Sequence, residues 1–445
     1  MLVVSIIVSV IVFSLVILLL SAGLITARKQ LLPSGDVKIS VNGGEKVLTV
    51  ASGSTLLSAL SNENVFLPSA CGGGGTCAMC KCQVTAGGGE ILATELNHIN
   101  RKDAQDNWRL ACQVKVRGDM DIRVPEEIFG IKKWECEVIS NYNVATYIKE
   151  FVVRVPEPVS FEAGGYIQID VPAGIEVNYK DMDITSHPRM GKKPDEFEKE
   201  WNDKGIRDFV MKNNETIFRA YSMANHPKEA EEQQIIMLNI RVAHPNPIFE
   251  KDKDGKRVFK GYMNVNPGVC SSFIFNQKLG DKVMISGPYG EFHIKPTKKE
   301  MLYIGGGAGM APLRSHLFHL FHTLKTTDRK VSYWYGGRAP AELFYIEDFR
   351  EIEAKFPNFK FYVVLDFDPQ DPNWIEKKSI DDENGNCFFG YVMPQLEKYY
   401  LNNHPEPEEI EYYFCGPPGL NMSIINTLDR LGVPNENISF DDFGG

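Results

Sequence analysis

Residues 71–82 read CGGGGTCAMCKC, which sets four of the chain's nine cysteines around an unbroken run of glycines. The spacing is Cys71-x5-Cys77-x2-Cys80, and Cys112 follows about thirty residues later in RLACQ. Four thiolates, three from one loop and a fourth from a distant segment, form the plant-type ligand set of a 2Fe–2S cluster, although the first gap there is x4. The glycines fit this reading. A loop that wraps a cluster turns through left-handed conformations and aims amide hydrogens inward at sulfide, and residues without a Cβ allow both. Such hydrogen bonds also tune the reduction potential. Zinc competes for the same thiolates, but its Cys-x2-Cys pairs usually face a second pair, which Cys112 alone does not supply. Cys82, on the strand beyond the loop, is expected to be a small core residue, as are Cys136, Cys270 and Cys387.

Around this loop the sequence reads as a small α+β domain over 28–127. VKISV and KVLTV flank Asn42-Gly43-Gly44 as a hairpin, SGSTLLSALSNEN forms a short helix, and KCQVTAG and VKVRGDMDIRV form further strands. Before it, LVVSIIVSVIVFSLVILLLSAGLI (residues 2–25) carries no charge, which predicts a transmembrane anchor over 1–27. Arg28 and Lys29 place the following domains in the cytoplasm. A cleaved signal peptide is the rival reading. It lacks a basic n-region here, and the apolar run exceeds the usual ~7–15 residues. The 445 residues, 43% hydrophobic, suggest about three domains, and a net charge of −10 argues against nucleic acid. Nine unevenly placed cysteines fit cytosolic thiols with a metal site better than a disulfide framework.

From 128 to 297 the texture turns to short strands (WECEVISNYNV, IKEFVVRV, YIQIDV, IIMLNIRVA, KVMISGPYG), which predicts an antiparallel barrel. It is interrupted by a polar stretch, 173–215, expected as a solvated surface insertion. From 298 to 445, apolar strands alternate with helical patterns, as in a doubly wound α/β domain.

Three motifs lie on these two domains. Arg219-Ala220-Tyr221-Ser222-Met223-Ala224-Asn225 ends a barrel strand, offering a guanidinium for phosphate, a ring to stack on a planar cofactor, and a hydroxyl. GVCSSF, with Gly268, Ser271 and Ser272, opens a helix whose amides and hydroxyls suit a diphosphate. The turn Gly305-Gly306-Gly307-Ala308-Gly309 follows strand MLYI and opens a helix, bringing backbone close to a dinucleotide, although it is not the G-x-G-x-x-G fingerprint. Tyr335-Gly336-Gly337-Arg338 and Cys415-Gly416-Pro417 end later strands, where ligands bind in such sheets. His316, His319 and His322 rotate round one helix too far to converge on an ion, and read as decoration of an amphipathic helix.

In this order the motifs resemble the ferredoxin–NADP reductase superfamily, and the N-terminal cysteine loop places the chain with its ferredoxin-fused branch. The anchor, the x5 gap and the insertion make it most similar to the family of F subunits of sodium-translocating NADH:quinone oxidoreductases. The resemblance implies a β-grasp ferredoxin domain, an FAD barrel and an NADH domain. It implies the cofactors FAD, NADH and one 2Fe–2S cluster, the latter on Cys71, Cys77, Cys80 and Cys112. Arg219 would hold the FAD diphosphate with Gly268, Ser271 and Ser272. Tyr221 would stack on the isoalloxazine, and Ser222 would sit near flavin N5, with Asn225 among the cofactor-binding residues. Gly305, Gly306, Gly307 and Gly309, with Gly336, Arg338, Cys415, Gly416 and Pro417, would frame the nicotinamide dinucleotide. A C-terminal aromatic, Phe443 or secondly Phe440, would cover the flavin. Ser222, Tyr221 and Phe443 are thus the candidate catalytic residues. The implied partners are membrane subunits in the bacterial inner membrane, with quinone reduction and sodium transport belonging to them. An oxygenase reductase component and a membrane-tethered redox sensor are the alternatives. The residues alone leave NADH and NADPH open: Arg338 could meet a 2′-phosphate that Glu342 would repel, and the resemblance implies NADH.

Overall fold

The computed structural model describes residues 12–21, 23, 35–69, 71–252 and 257–442, and the chain divides into two compact units, Met1–Ile131 and Lys132–Gly445. Within the predicted anchor, 12–21 and 23 are helical and exposed, and the remainder lies outside the described residues. Among the described residues no helix is long and apolar enough to cross a membrane.

In the first unit, strands β1 (Asp36–Val41) and β2 (Lys46–Ala51) pair antiparallel, turned by Asn42, Gly43 and Gly44, all at positive φ. Helix α1, Leu56–Asn62, starts at Thr55, whose Oγ1 accepts the Ser58 N–H at 3.2 Å, and it buries Leu56, Leu57, Ala59 and Leu60. That is the i, i+3, i+4 stripe of a helix lying on a sheet. Then come β3 (Lys81–Ala86), α2 (Arg101–Gln105), β4 (Trp108–Leu110) and β5 (Met120–Arg123). The sheet order is β2-β1-β5-β3-β4 with β1 and β5 parallel, a mixed sheet grasping a helix. The expected strand VKVRGDMDIRV is a strand only in its second half. Its first half instead accepts N–H groups at the approach to and start of α1, Gly53 to Val116 and Leu56 to Val114.

The second unit opens with a six-stranded antiparallel sheet. Its strands are β6 (Lys132–Ala145), β7 (Ile148–Arg154), β8 (Tyr166–Val171), β11 (Ile217–Ser222), β12 (Ile235–Arg241) and β15 (Lys282–Tyr289), in the order β11-β8-β15-β6-β7-β12. The edges β11 and β12 meet where Met223 bridges Leu238 and the Ala224 N–H donates to Met237 O at 2.7 Å. The motif Arg219-Ala220-Tyr221-Ser222 therefore lies where the barrel closes. A short helix α4, Pro227–Gln233, joins these two edges, and β13 (Pro247–Lys251) and β14 (Arg257–Tyr262) form a separate ribbon. Helix α5, Val269–Asn276, packs against the barrel, burying Cys270, Phe273, Ile274 and Phe275 in the barrel core.

The polar stretch 173–215 is not a solvated insertion. Strands β9 (Ile175–Asn178) and β10 (Val210–Asn213) pair across its ends, and α3, Glu198–Asp203, lies between them. Tyr179, Phe197, Trp201, Ile206 and Met211 are buried in the barrel core. Trp201 stacks near Tyr147 and Phe275 and donates Nε1–H to Thr146 O at 2.7 Å. Most charged residues between these few aromatics face outward and disguise the pattern, while Arg189 and Lys192 turn inward.

The nucleotide-domain sheet is wholly parallel: β16 (Met301–Gly306), β17 (Val331–Gly337), β18 (Phe359–Leu365), β19 (Cys387–Phe389), β20 (Glu411–Cys415) and β21 (Ile438–Asp441), in the order β19-β18-β17-β16-β20-β21. Alternate residues feed two cores. Tyr303, Tyr333 and Tyr413 enter one, and Ile304, Trp334 and Phe414 the other, as a sheet covered on both faces requires. The covering helices are α6 (Met310–Phe318), α7 (Ile346–Lys355), α8 (Val392–Tyr399) and α9 (Pro418–Arg430). Helix α6 is buried along its whole length, so the expected amphipathic decoration is wrong there. His316 is fully buried with Nε2 at 2.8 Å from Phe292 O, and burial lowers its pKa to about 4, leaving it neutral.

Barrel and nucleotide domain share one buried ionic centre. Glu150, 2% exposed, meets His187 Nε2 at 3.2 Å and Arg189 at 3.1 Å, and accepts the Tyr345 hydroxyl at 2.7 Å. Burial alone would raise its pKa, but these partners bring it down from 4.5 to about 2. At 1.36 kcal/mol for each pH unit, that is about 3 kcal/mol of stability, present above the unfolded pKa and lost as pH falls through about 4.5 toward 2. Urea unfolding should show this acid loss, and Glu150→Gln should flatten it while lowering stability at pH 7 by a similar amount.

Candidate functional site

The loop between α1 and β3 gathers the predicted thiols. Gly72, Gly73 and Gly75 have φ of +63°, +92° and +80°, a run that side chains would strain. Cys77 Sγ lies 3.4 Å from Cys71 Sγ, and Cys80 is hydrogen-bonded to Cys112, which the Ala111 N–H to Cys80 O bond (2.9 Å) brings alongside. Amides of Thr76 and Cys77 point at Cys71, that of Met79 at Cys77, and that of Gly75 at Cys112. Within each pair the hydrogen bond from Cys77 or Cys80, the largest influence, lowers its partner, Cys71 or Cys112, toward thiolate. Among the described residues no three His, Cys, Asp or Glu side chains surround a single point as one ion requires. Two thiol pairs with inward amides instead fit a two-iron cluster. Cys82 is fully buried in the core, its thiol pushed up to about 12 by burial.

The supports of this loop carry no mark in the sequence. Arg109 makes a bidentate pair with Glu95 at 2.9 and 2.7 Å and donates to the carbonyls of Gly88, Gly89 and Glu90. Glu95 also accepts the Leu110 N–H at 3.0 Å, which fixes the strand leading to Cys112. Gln113 Nε2 reaches Cys112 Sγ at 3.7 Å, its Oε1 accepts Thr94 Oγ1–H at 3.3 Å, and a Cβ on Gly75 would stand 2.6 Å from that nitrogen. No spacing rule announces such contacts, although a polar residue directly after a ligand cysteine is a usable signal.

In the barrel, Arg219 and Tyr221 alternate along β11 and both lie near Cys270 of α5. Burial beside Cys270 pushes the Tyr221 phenol well above its ordinary value. Gly268 begins α5, and the two serine hydroxyls are spent on that start. Ser271 Oγ accepts the Ala243 N–H and donates to Gly268 O, while Ser272 Oγ donates to Gly268 O at 2.7 Å and lies 2.8 Å from the Tyr179 hydroxyl. What α5 leaves open to an anion is therefore its first-turn amides rather than these hydroxyls. Asn225, expected to bind cofactor, is fully buried. Its amide donates to Ile235 O at 2.9 Å and accepts the Met237 N–H at 3.0 Å, so it staples the barrel shut.

Ser222 Oγ donates to Asp441 Oδ2 at 2.6 Å, which brings the barrel seam to β21. Asp441 pairs in register with Cys415, and both are raised by burial, the carboxyl above its ordinary value and the thiol well above. Nothing in the sequence singles out Asp441, because it is one of several acids near the C-terminus. Phe440 lies on the opposite face of β21, stacked on Phe414 at 5.0 Å, and so turns away from Ser222. Phe443 lies outside the described residues.

At the C-terminal ends of β16, β17 and β20, a cavity of about 600 Å³ is lined by Gly306, Gly307, Gly336, Arg338 and Pro417. This is the crevice where the strand order of a parallel sheet reverses. Gly309 holds its wall tight, since a Cβ there would lie 2.0 Å from Cys415 O. Gly305 and Gly416 pack beneath, closed by Tyr333 and Leu420. Two acids, Glu342 and Asp366, also line the cavity, and Tyr147 and Ile148 reach it from the barrel. Asp366 is absent from the motifs read in the sequence, although an acid directly after an apolar parallel strand marks this edge.

Residues 39–117 match the 2Fe-2S iron-sulfur cluster binding domain, and 303–424 the oxidoreductase NAD-binding domain. Among solved structures the fold is similar to an Amycolatopsis cytochrome P450 reductase (TM-score 0.58, 22% identity, 92% of this chain and 98% of that one). It is also similar to the ferredoxin reductase in carbazole 1,9a-dioxygenase (TM-score 0.54, 20% identity, with the same coverage). The F subunit of the Na(+)-translocating NADH-quinone reductase of Haemophilus ducreyi is 47% identical over 98% of both chains. That of Neisseria meningitidis is 47% identical over 99% of this chain and 100% of its own. With the thiol pairs, the barrel seam and the glycine-lined cleft in place, the chain belongs to the family of F subunits of sodium-translocating NADH–quinone reductases.

Proposed function

We propose that this chain is the electron-input subunit of a membrane respiratory complex, oxidising NADH by hydride transfer to FAD and passing single electrons through a 2Fe–2S cluster to membrane subunits. There the electrons reduce quinone, coupled to sodium transport. The observation that carries the reading is the Ser222–Asp441 hydrogen bond, which joins the barrel seam to the sheet edge beside the cleft. FAD supplies a carrier that takes a hydride and releases electrons singly, and the cluster a one-electron carrier.

The chain's own residues would do the following. Arg219 and the first-turn amides of α5 would hold the FAD diphosphate, and Tyr221 would stack on the isoalloxazine. Ser222 Oγ would lie near flavin N5, and Asp441, whose carboxyl burial raises above its ordinary pKa, holds that hydroxyl in place. Gly306, Gly307, Gly336 and Pro417 admit the dinucleotide, and the walls exclude water. Glu342 and Asp366 favour NADH, since either would repel a 2′-phosphate. Phe443 would be the aromatic cover. Cys71, Cys77, Cys80 and Cys112 ligate the cluster. The uncharged segment 2–25 supports a single retained anchor in the inner membrane, with Arg28 and Lys29 on the cytoplasmic side.

Anaerobic titration of the detergent-solubilised protein with NADH, following flavin absorbance and the cluster's paramagnetic signal, tests this order of carriers. Cys77→Ala should abolish the paramagnetic signal and leave NADH-driven flavin bleaching intact; loss of both in a folded variant would break the linear order. Ser222→Ala should keep FAD but slow flavin reduction by about tenfold to a hundredfold, and an unchanged rate would remove Ser222 from the reaction centre. Gln113→Leu, which deletes an N–H donor to Cys112, should lower the cluster's midpoint potential by roughly tens of millivolts in a redox titration.

A further inference from the structure

The lobe 173–215 touches both walls of the cleft. On the barrel side, the β6–β7 turn carries Tyr147 and Ile148 into the cavity. Trp201 donates to Thr146 O in that turn, and Lys192 Nζ donates to Val144 O at 2.8 Å. On the nucleotide side, the loop after β17 carries Arg338 and Glu342 into the cavity. The same Lys192 ammonium donates to Ala341 O at 2.7 Å and Leu343 O at 2.9 Å, on either side of Glu342. Thr146 Oγ1 also donates to Glu342 itself, which ties turn to loop directly. Two residues further on, Tyr345 is held through Glu150, the carboxylate that His187 and Arg189 of the lobe also engage.

One ammonium has three N–H donors, and here all three go to carbonyls of two different domains. We propose that the lobe is a brace across the dinucleotide cleft, with Lys192 the positioning residue that pins the barrel turn and the β17 loop at a fixed separation. The ammonium is not among the groups that line the cavity. It fixes the shape of the cleft before NADH arrives, so it acts on saturation and not on the hydride step. The inference rests on the reading that the cavity takes NADH.

The test is stopped-flow bleaching of flavin in the FAD-loaded, detergent-solubilised chain over a range of NADH concentrations. Lys192→Met, which leaves three carbonyls without a donor, should raise the half-saturating NADH concentration about tenfold and change the limiting rate by less than about twofold. Lys192→Arg, which keeps a cationic donor fork, should return half-saturation to within about threefold of the parent. If Lys192→Met loses FAD, Lys192→Gln, with two N–H donors left, is measured in its place and should lie between. Unchanged half-saturation, or a lowered limiting rate with half-saturation unchanged, overturns the brace. Leu420→Trp separates this from failure of the cleft itself, because Leu420 lines the cavity beside Gly306 and the larger ring would fill it. If Leu420→Trp weakens NADH and Lys192→Met does not, only the brace falls; if neither does, the cavity is not the NADH site and both readings fall.

Discussion

The second unit depends on what is done with the main chain of residues 222–225. Asn225 turns its side chain back on β12 to shut the barrel, which leaves its own carbonyl and that of Ala224 without partners inside the sheet. Both are taken by the nucleotide domain. Arg314 Nη1 donates to Ala224 O at 2.7 Å, and Ser315 Oγ donates to Asn225 O at 2.9 Å. Unpaired carbonyls at a buried interface would each cost about 1–3 kcal/mol, so barrel closure and domain docking support one another. Ser222 stands one turn of chain away, and its position relative to β20 and β21 follows from that docking.

The same economy of space governs the glycines of the nucleotide domain. They are needed for proximity more than for unusual dihedral angles: Gly309 lies against Cys415 O, and Gly336 against Val392. A methyl group at either position would push α6 or α8 off the sheet and widen the crevice. In the cysteine loop the need is chiefly positive φ, joined at Gly75 by the close approach of Gln113, and the chain uses the same residue for both.

Much of this is legible in the sequence, for reasons that can be named. That Cys71, Cys77, Cys80 and Cys112 come together is legible because their spacing reads as a single ligand set and the glycine run lets the loop fold back on itself. The parallel sheet is legible because strands covered on both faces are continuous apolar runs. The lobe 173–215 misleads because its core contribution comes from widely spaced aromatics, Tyr179, Phe197 and Trp201, with charge between them and no period to detect. Asn225 and His316 mislead in another way: polar residues near a motif suggest ligands or surface, whereas here burial obliges each to satisfy its partners within the protein. Asp441 and Lys192 are beyond reach, since each acts on a residue whose proximity only the fold creates.

Helix α6 has no outward face, with every residue from Met310 to Phe318 enclosed. Most surface helices can drift on their polar side while the apolar side is kept. This one has no neutral side, so its sequence is limited at each position by volume and by the hydrogen bonds of Arg314, Ser315 and His316. A larger side chain anywhere along this short rod therefore meets packing on every side, whereas the outer helices can take up a change on their exposed faces.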